Sequence, residues 1–589
     1  MKADNRPVYA VDCETDPFEY GIVPHPFIWG VYTGTEYHEF IGSGCQHEGR
    51  WHPYRCTEAD LDKLVDFLSE REAICYAHNG GKFDWHFISH RFEPDSDILI
   101  INGRIAKFTI GKCEFRDSFN LMPISLDQYN KMKFNYNRMH YLHREKYMDQ
   151  IREYQKSDCV NLWQMVADFN QEYGLHITQA AAAMFYWNKK MGMKVYRSDS
   201  YFFDKFKPFY YGGRVQCFEQ GDFPLKAKSA DINSAYPHAM LANHAYGLNY
   251  VTEEGRPKIA FEHWGPLFFE VHCIAKGCFP YRALNGNLYY PDDGIARTYN
   301  VTGWELMAAI ETKTIDEIQF IYYHKFTETL SFKEYIDHFW NLRKVYKLQG
   351  DKGRDYYAKI FLNSLYGKFA TDPRKYKQYT IRPGNALDQV LKELQENTNF
   401  HRFREWLIVG EQTKSNKNLF YNVATAASVT GYVRAKLWRA ICNSTRPLYC
   451  DTDSITAVKF GKDVQLGKEL GQWEIENHYD RVVIAGKKLY AFHKTGDHAE
   501  AIQQYLKNNP GKTKLEAECA VEWKIASKGA RLLHTDIIQA ANGEPVTFRA
   551  MAPTFSASKE KPAFISRIIT ATAADIRTVP KRFDPLYND

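Results

Sequence analysis

The sequence predicts a multidomain protein of mixed α/β (α+β) class. A chain of 589 residues is longer than one hydrophobic core normally organises, so we expect several domains. Short apolar segments typical of strands alternate with segments typical of helices up to about residue 170. Farther along, residues 332–369 have the pattern of a helical hairpin whose turn lies at residues 350–353.

The individual segments justify this class in order along the chain. Strands are expected at VYAVDCET, FIWGVYTG and AKFTIGKCEFRDS, and helices at EADLDKLVDFLSE and YQKSDCVNLWQMVADF, which together favour an N-terminal α/β domain. A tyrosine- and glycine-rich segment, FYYGGRVQ, begins at residue 209. A polar stretch with only short regular segments spans about 371–418, and a helix is expected over about 421–442. The C-terminal segments WKIASKGARLL and SASKEKPAF are basic and irregular in pattern.

Composition limits the classes of function. The chain is 44% apolar and 25% charged, as folded soluble proteins are. Its 76 basic and 71 acidic side chains leave a net charge of +5, so a nucleic-acid site requires local clustering of charge. No run of 18 apolar residues and no secretory leader is present, so we expect a cytoplasmic protein without a membrane partner. The 12 cysteines show no paired framework, which favours reduced thiols.

One cluster of cysteines and histidines is an exception. In CQHEGRWHPYRC, Cys45, His47, His52 and Cys56 offer enough ligands for a tetrahedral zinc site. The spacing matches no standard zinc pattern, and an ordinary surface loop is the alternative.

Two aspartates interrupt a run of strand-forming residues in RPLYCDTDSITAV. Because side chains alternate along a strand, Asp451 and Asp453 are expected to face the same object. Hard oxygen ligands suit Mg²⁺ or Mn²⁺, so this pair is a candidate metal site. A solvated hairpin tip is the alternative.

Two further segments add chemistry to this pair. KSADINSAYPHAM places Asp231 at the end of a strand that Pro237 would stop, and three carboxylates could hold two metal ions about 4 Å apart for phosphoryl transfer. In KIFLNSLYGKFA, Lys359, Asn363 and Tyr366 share one helical face. The lysine could hold a triphosphate and the tyrosine could pack on a base pair. An amphipathic helix with an exposed lysine is the alternative.

The N-terminal region contains a second set of acidic residues. Asp12 and Glu14 lie on one face of a predicted strand, Asp84 follows in HNGGKFDWHF, and Tyr154 and Asp158 are one helical turn apart. Four carboxylates and a tyrosine favour a second two-metal centre with water as the nucleophile.

The segments DINSAYP, KIFLNSLYGKFA and YCDTDS, in this order, resemble the three polymerase motifs of family B DNA polymerases. The resemblance implies a right-hand polymerase with palm, fingers and thumb. It implies that Asp231 and Asp453 ligate the catalytic metals, with Asp451 alongside and the carbonyl of Ile232 as a further ligand. The family usually has leucine at Ala235, a difference expected to affect packing rather than chemistry.

The same motifs imply a nucleotide-binding set. Lys359, and Lys347 on the preceding helix, would contact the incoming triphosphate, and Tyr236 would lie under the sugar and exclude a 2′-hydroxyl. Asn363 and Tyr366 complete this set.

The N-terminal segments resemble the three motifs of the DnaQ-like 3′–5′ exonuclease domain, a ribonuclease-H-like fold that proofreads in family B polymerases. This implies catalytic and metal-binding roles for the five N-terminal residues above. Asn79 and Phe83 fit its second motif with one extra glycine in the spacing. DSFNL resembles a further motif that binds the frayed primer, and Ser118 is carried over from it because a phenylalanine replaces the usual leucine. A catalytic lysine is usual in near relatives, and Lys131 and Lys133 both remain candidates.

Two more segments extend the resemblance. FYYGGRV resembles the Tyr-x-Gly-Gly motif at the junction of exonuclease and polymerase domains, through Tyr210, Gly212 and Gly213. There the glycines would let the backbone approach template phosphates, and a simple Gly-Gly turn is the alternative. GKKLYAF resembles the Lys-x-Tyr motif that grips the primer end, through Lys488 and Tyr490.

The spacing of the motifs narrows the resemblance to the protein-primed subgroup of small phages and linear plasmids. The first exonuclease motif starts at residue 12, and long gaps between the polymerase motifs leave room for two insertions, which in this subgroup contact a terminal protein and encircle DNA. The expected division is 1–178 exonuclease, 179–244 first part of the palm, 245–331 first insertion, 332–370 fingers, 371–418 second insertion, 419–518 second part of the palm and 519–589 thumb.

The resemblance therefore implies a monomeric DNA polymerase that extends primer-template DNA 5′ to 3′ with deoxynucleoside triphosphates. It would use Mg²⁺ (or Mn²⁺), two ions per active centre, and start from a terminal protein. A nucleic-acid-primed family B polymerase is one alternative. A non-catalytic DNA-binding replication scaffold is an alternative of another class, although every expected carboxylate is present.

Overall fold

The computed structural model describes residues 5–17, 24–47, 49–124, 126, 132–284, 286–393, 399–403, 405–412, 420–509, 511–527, 530, 532–552 and 565–573. These residues form three large β-sheets joined by helices and by two-stranded ribbons. The predicted mixed α/β class is confirmed. No helix within these ranges is both long and apolar enough to cross a membrane.

The N-terminal sheet has the order β7-β8-β9-β6-β1-β2-β3, with β1 and β9 parallel to β6. Helix α1 starts at a capping box between Thr57 and Asp60, and it buries Leu61, Leu64 and Leu68. The predicted strands and helices of this region are confirmed, except that AKFTIGKCEFRDS forms two antiparallel strands, β8 and β9, rather than one, and that α3 is longer than its motif. Its elements are β1 Val8–Thr15, β2 Pro26–Tyr32, β3 Tyr37–Ile41, β4 Cys45–His47, β5 Arg50–His52, α1 Glu58–Ser69, β6 Ile74–Ala77, α2 Asp84–Phe87, β7 Asp97–Ile100, β8 Ile105–Ile110, β9 Cys113–Asp117 and α3 Arg144–Tyr173.

The chain then enters a central sheet and leaves it for a separate four-stranded sheet. The first segment contains α4 Gln179–Phe185, α5 Ser200–Phe206, β10 Arg214–Cys217, β11 Gly221–Phe223, β12 Ala227–Ile232 and α6 Ala235–Ala239. The four-stranded sheet has the order β13-β18-β14-β17. Its segment contains β13 His244–Glu254, β14 Phe268–Ala275, β15 Tyr281–Arg282, β16 Leu288–Tyr289, β17 Ala296–Thr302, α7 Gly303–Glu311 and β18 Ile315–Leu330.

The predicted helical hairpin is confirmed. It consists of α8 Lys333–Gln349 and α9 Lys352–Phe369. Gly350 ends α8 in the left-handed conformation, with φ of 72°, which is typical of a glycine helix cap. The Tyr335 hydroxyl donates a hydrogen bond to the Phe361 carbonyl (2.9 Å) and joins the two helices.

The stretch predicted to be polar with only short regular segments, about 371–418, contains short elements in its described residues, and its strands extend the N-terminal sheet. Its elements are β19 Lys377–Pro383, α10 Leu387–Glu393, β20 Asn399–Phe403 and β21 Trp406–Gln412. Strand β19 pairs with β7, so the order at that edge is β20-β21-β19-β7. Ile381, Phe403 and Trp406 are buried in the N-terminal core, and the Trp406 indole N–H donates to the Ser89 carbonyl (2.8 Å). The sequence of this segment reads as polar because its hydrophobic side chains occur only at every second position of short strands.

The remaining elements complete the central sheet, which has the order β10-β22-β23-β12-β24-β25-β26 with β11 against β24. The helix predicted over about 421–442 is confirmed, and most of its residues are buried. The C-terminal part, expected to be irregular, contains a helix and strands within its described residues. The elements are α11 Val423–Asn443, β22 Thr445–Thr452, β23 Ser454–Lys459, β24 Trp473–Gly486, β25 Leu489–Lys494, α12 Ala499–Asn508, α13 Lys514–Val521, β26 Trp523–Ser527, α14 His534–Ala541, β27 Val546–Ala552 and β28 Ile565–Ala571.

Candidate active sites

The first candidate site lies between β1 and α3. Carboxylate oxygens of Asp12, Glu14 and Asp158 lie within 4.8 Å of one another, and in the described part of the chain this is the only such group of three or more His, Cys, Asp or Glu side chains. They line a cleft of about 540 Å³ together with Asp84 and Tyr154. All five N-terminal residues singled out from the sequence therefore meet in one place.

The close approach of α3 to the sheet depends on two residues that sequence reasoning missed. The buried Gln155 amide donates to the carbonyls of Asp12 (3.2 Å) and Ile28 (3.1 Å), and it accepts from the Tyr37 hydroxyl (3.1 Å). A Cβ atom at Gly30 would lie 2.9 Å from the Cys159 sulfur, so only glycine lets the helix sit this close. Gln155 follows Tyr154 directly, but nothing in its local pattern marked it as a clamp.

Asp84 is a deeply buried acid of this site. Burial raises its pKa to about 7, with a further contribution from the charge of Asp117, while hydrogen bonds from Cys13 lower it. Its Oδ1 atom has no hydrogen-bond partner among the described residues. A buried carboxylate oxygen without a donor, beside three converging carboxylates, fits a hard divalent cation.

The cleft also holds the other predicted N-terminal residues. Asn79 adopts a left-handed conformation with φ of 67° and accepts from Arg104 (2.6 Å). Arg104 also pairs with Asp117 (2.7 Å), and sequence reasoning did not single it out. Phe83 lines the cleft, and the Tyr154 and Tyr136 hydroxyls are 3.0 Å apart. Burial raises the pKa of Tyr154, so it remains a neutral hydrogen-bonding group.

Ser118 does not face the cleft, which corrects its predicted contact with DNA. Its side chain is fully buried and donates to the Ala77 carbonyl (3.2 Å), and it lies 3.0 Å from Nδ1 of His78. The residue therefore orients His78, which does line the cleft. Of the two candidate lysines, Lys133 is exposed, and Lys131 lies outside the described residues.

The second candidate site lies on the central sheet. Contrary to the prediction, Asp451 and Asp453 do not lie on one continuous strand. Strand β22 ends at Thr452, whose φ is 64°. The Asp453 N–H donates to the Asp451 carbonyl (2.7 Å), which closes a tight turn into β23. The backbone therefore forms a hairpin tip, which was the alternative interpretation of this segment. This tip is partly buried beside β12 rather than solvated.

Backbone pairing brings Asp231 to this turn. Asp231 is opposite Ser454, and the Ile232 N–H donates to the Asp453 carbonyl (2.9 Å). Burial, followed by the charge of Asp453, raises the pKa of Asp231 to about 7. Burial and the charge of Asp451 raise the pKa of Asp453 to about 6. Negative charge at this site is only partly compensated, which fits a bound cation. Strand β12 ends at Ile232, so Pro237 lies in α6 and does not stop the strand.

Two basic side chains partly offset this charge. The Lys488 ammonium pairs with Asp451 (2.8 Å). Sequence reasoning missed Glu476 and Lys524, which pair with each other at 2.6 Å, although both act on the pKa of Asp231. Tyr490 is largely buried and stacks on Phe492, with ring centroids 4.3 Å apart. Its ring is part of the core below Lys488, which limits the contact it can make with a primer.

The predicted nucleotide-binding residues divide into two groups. Tyr236 and Tyr366 stack with ring centroids 4.4 Å apart and an interplanar angle of 4°. Burial raises the pKa of Tyr236 to about 12. Lys359 and Asn363 are exposed on α9, and Lys347 is exposed at the end of α8. No described acidic side chain forms an ion pair with either lysine.

The two glycines of the Tyr-x-Gly-Gly segment have different surroundings. A Cβ atom at Gly213 would lie 2.6 Å from Cγ2 of Thr452, so this glycine packs directly on the turn between the aspartates. Around Gly212 there is open space. Arg434 of α11 donates to the carbonyls of Tyr211 (2.5 Å) and Gly212 (3.0 Å), and it forms a buried ion pair with Glu305 (2.8 Å).

The cysteine and histidine cluster forms a β-hairpin rather than a closed metal site. Cys45 is paired with His52 across β4 and β5, and His52 stacks on Tyr141 with ring centroids 4.0 Å apart. Rings of His47 and His52 are 5.5 Å apart, but the ligand atoms of Cys45, His47, His52 and Cys56 do not gather within 4.8 Å of one another. The predicted zinc tetrahedron is not preformed among these four described residues.

Comparisons with known proteins agree with this arrangement. A family model for DNA polymerase type B, organellar and viral, matches residues 128–455. The chain is 35% identical over 545 residues to a DNA-directed DNA polymerase of Enterobacteria phage PRD1, with 90% of this chain and 86% of that protein covered. It is 28% identical over 363 residues to a DNA polymerase of Bacillus phage Nf, with 57% and 55% covered.

One solved structure shows the same fold over almost the whole chain. It is Phi29 DNA polymerase complexed with primer-template DNA and incoming nucleotide substrates, with a TM-score of 0.67 and 18% identity. The match covers 97% of this chain and 99% of that chain.

The contact between Gly213 and Thr452 gives a test of how the second site is held. Gly213→Ala should lower the apparent melting temperature, because the added methyl group forces the turn at Thr452 to shift, a cost of about 1–3 kcal/mol. Gly212→Ala is the matched control and should leave the melting temperature unchanged or slightly raised, since its Cβ meets no atom. Equal melting temperatures for the two variants would contradict the close packing.

Proposed function

Because the chain belongs to the type B DNA polymerases of organelles and viruses, we propose that it copies a DNA template 5′ to 3′ and removes 3′ ends at a second centre. The observation that carries this proposal is the pair of acidic sites built on separate sheets. One has Asp231 beside the turn of Asp451 and Asp453. The other has Asp12, Glu14 and Asp158 converging beside Asp84.

In the synthetic centre the chain's own residues set up the charge. Asp231, Asp453 and the Ile232 carbonyl are the groups that would hold Mg²⁺ or Mn²⁺. Two such ions would activate the primer hydroxyl and stabilise charge on the triphosphate. Lys488 holds Asp451 through its ion pair, so Asp451 supports the site from the side. Exposed Lys359 and Lys347 offer positive charge for the triphosphate of the incoming nucleotide.

In the degradative centre Asp12, Glu14, Asp84 and Asp158 are the groups that would hold the divalent ions. Tyr154 stays neutral and can donate its hydroxyl to a water or a phosphate oxygen. Asn79 and Phe83 line the same cleft and are positioned to hold a single-stranded 3′ end. His78 joins them in place of Ser118.

The proposed domain boundaries follow the sequence motifs rather than the sheets, because α13 spans the boundary at residue 518 and β26 pairs with β25 of the central sheet. We assign 1–178 to the exonuclease, 332–370 to the fingers, 179–244 and 419–518 to the palm, and 519–589 to the thumb. The first insertion, 245–331, corresponds to the four-stranded sheet with α7. The second insertion, 371–418, joins the exonuclease sheet, which supports a role beside the DNA path; Lys414 and Lys417 near its end lie outside the described residues.

We infer that replication starts from a terminal protein. A polymerase that begins at the very end of a linear genome has no upstream nucleic acid to extend, so a Ser, Thr or Tyr hydroxyl of a protein must take the place of the primer hydroxyl. The first insertion supplies surface for such a partner, including the fully exposed Leu284 at the tip of the β15–β16 hairpin. A nucleic-acid-primed polymerase is the second candidate, favoured by the family match alone.

The two centres should be separable by substitution. Asp453→Ala should abolish nucleotide incorporation on a primed template and leave degradation of single-stranded DNA nearly intact, because no carboxylate is shared between the sites. The Asp12→Ala/Asp84→Ala double variant should do the reverse. Both activities are measured with one labelled oligonucleotide, and Asp66→Ala on exposed α1 is the control. Loss of both activities in one folded variant would refute the assignment of two sites.

Tyr236 should determine the choice of sugar. Tyr236→Val should raise ribonucleotide incorporation at least tenfold relative to deoxynucleotides, because no ring then occupies the space of a 2′-hydroxyl. Tyr236→Phe keeps the ring and its stack on Tyr366, so its discrimination should stay close to that of the unaltered enzyme. The measurement is the ratio of kcat/KM for the two nucleotides. An unchanged ratio in Tyr236→Val would rule out this role.

Priming can be tested without removing the first insertion, whose Glu305 neutralises the buried Arg434. Leu284→Asp should strongly reduce deoxynucleotide transfer to the terminal protein encoded beside the polymerase, because a charge replaces an exposed apolar contact. Extension of an ordinary DNA primer by the same variant is the internal control and should be spared. If the unaltered enzyme extends DNA primers well but never labels that protein, the nucleic-acid-primed candidate stands.

A further inference from the structure

Three basic side chains from distant parts of the chain meet beside the Tyr-x-Gly-Gly segment. Lys207 precedes this segment, Arg282 lies in β15, and Lys375 follows α9. The Lys207 ammonium is 5.0 Å from the ring centroid of Tyr210, and the Arg282 guanidinium is 5.5 Å from that of Tyr211. The Lys207 ammonium and the guanidinium of Arg374, the residue before Lys375, lie 5.4 and 5.5 Å from the ring centroid of Phe203. Lys207, Arg282 and Lys375 therefore come from one surface and are here called the basic triad.

The basic triad is only partly compensated by the chain itself, because Asp372, which pairs with Arg374, also acts on Lys207. The neighbouring Arg374 is saturated, since it pairs with Asp372 (2.9 Å) and with Asp204 (2.8 Å). In the described part of the chain no carboxylate forms an ion pair with a member of the triad. Burial, followed by the charge of Lys375, lowers the pKa of Lys207, and the charge of Asp372 offsets part of this shift.

The basic triad lies next to the segment that packs on the synthetic centre. Gly213 packs on Thr452, and the next residue, Arg214, is opposite Thr452 in the sheet. The aromatic rings under Lys207 and Arg282 therefore belong to the segment that abuts the turn of Asp451 and Asp453. Separate segments that bring like charges together accept a repulsion that a bound polyanion would remove.

We propose that Lys207, Arg282 and Lys375 bind backbone phosphates of the primer-template DNA next to the synthetic centre. The proposal rests on the proposed function and adds residues to its DNA contacts. Arg282 comes from the first insertion, and Lys375 lies at the start of the second. Both insertions thus contribute to holding ordinary DNA, in addition to any contact with a terminal protein.

The chemistry of the triad also predicts that it does not recognise DNA sequence. Lysine and arginine at phosphates contribute affinity that depends on salt and carries no sequence information. The contacts should therefore change binding of every duplex alike. They should leave the KM for nucleotide and the degradation of short single strands unchanged, because neither uses this surface.

The test is binding of a primer-template duplex, measured without divalent ions at several salt concentrations. Arg282→Ala/Lys375→Ala should weaken binding at least tenfold at low salt and reduce the slope of log K against log salt by about 1.8, which is about 0.9 per lost phosphate contact. The partly buried Lys207 is left unchanged. Lys63→Ala/Lys276→Ala is the matched control, because both lysines are exposed and each is paired with an aspartate. It should keep the original slope.

A charge-preserving variant separates charge from structure. Arg282→Lys/Lys375→Arg should retain most of the slope, whereas a merely structural role would leave it as impaired as the alanine variant. Unchanged affinity and slope in the alanine variant would overturn the proposal. If the alanine variant binds DNA unchanged but no longer supports transfer to the terminal protein, the proposal would be overturned. The triad would then bind an acidic surface of that protein. Because binding is measured without catalysis, an unaltered enzyme that binds duplex but never incorporates nucleotides would refute the proposed function alone.

Discussion

The constraint on which the synthetic site depends is a backbone one. Strand β22 must end in a left-handed residue at Thr452 so that Asp453 turns back towards β12, where its carbonyl accepts from the Ile232 N–H. That bond fixes the end of β12 and therefore the side chain of Asp231. The cost is crowded negative charge, seen in the raised pKa values of Asp231 and Asp453. A bound cation would relieve this cost.

Buried charges connect this turn to the rest of the molecule. Arg434 ties α11 to the carbonyls beside Gly212, and Glu305 of α7 is its counter-ion. Removing one partner of such a pair leaves an uncompensated buried charge, which costs about 3–5 kcal/mol. Arg214 has no carboxylate partner among the described residues and instead lies between the rings of Tyr290 (3.9 Å) and Trp438 (4.3 Å). The four-stranded sheet is therefore fixed to the central sheet by cations rather than by apolar packing alone.

Sequence reasoning found the carboxylates because short motifs carry them, some within strands such as β1 and others on the helices α2 and α3. It placed β1 correctly from its short apolar run and α1 from its helical periodicity. It misjudged Asp451 and Asp453, because strand alternation cannot reveal that one intervening residue has a positive φ. It also could not find Gln155, Arg104 or the pairing of β19 with β7, whose partners are distant along the chain. Ser118 failed for a related reason: a motif gives the residue type, whereas burial decides what the side chain can touch.

Helix α3 connects the carboxylates of the first candidate site to helix α9. The first half of α3 carries Tyr154 and Asp158, and its second half packs on α9, where the Tyr357 hydroxyl donates to the Met165 carbonyl (2.8 Å). Helix α9 carries the exposed Lys359, so the residue proposed for the triphosphate lies on the helix against which α3 packs. The pairing of β19 with β7 adds a second connection on the other side of the N-terminal sheet. A rotation of the N-terminal unit would have to break both connections.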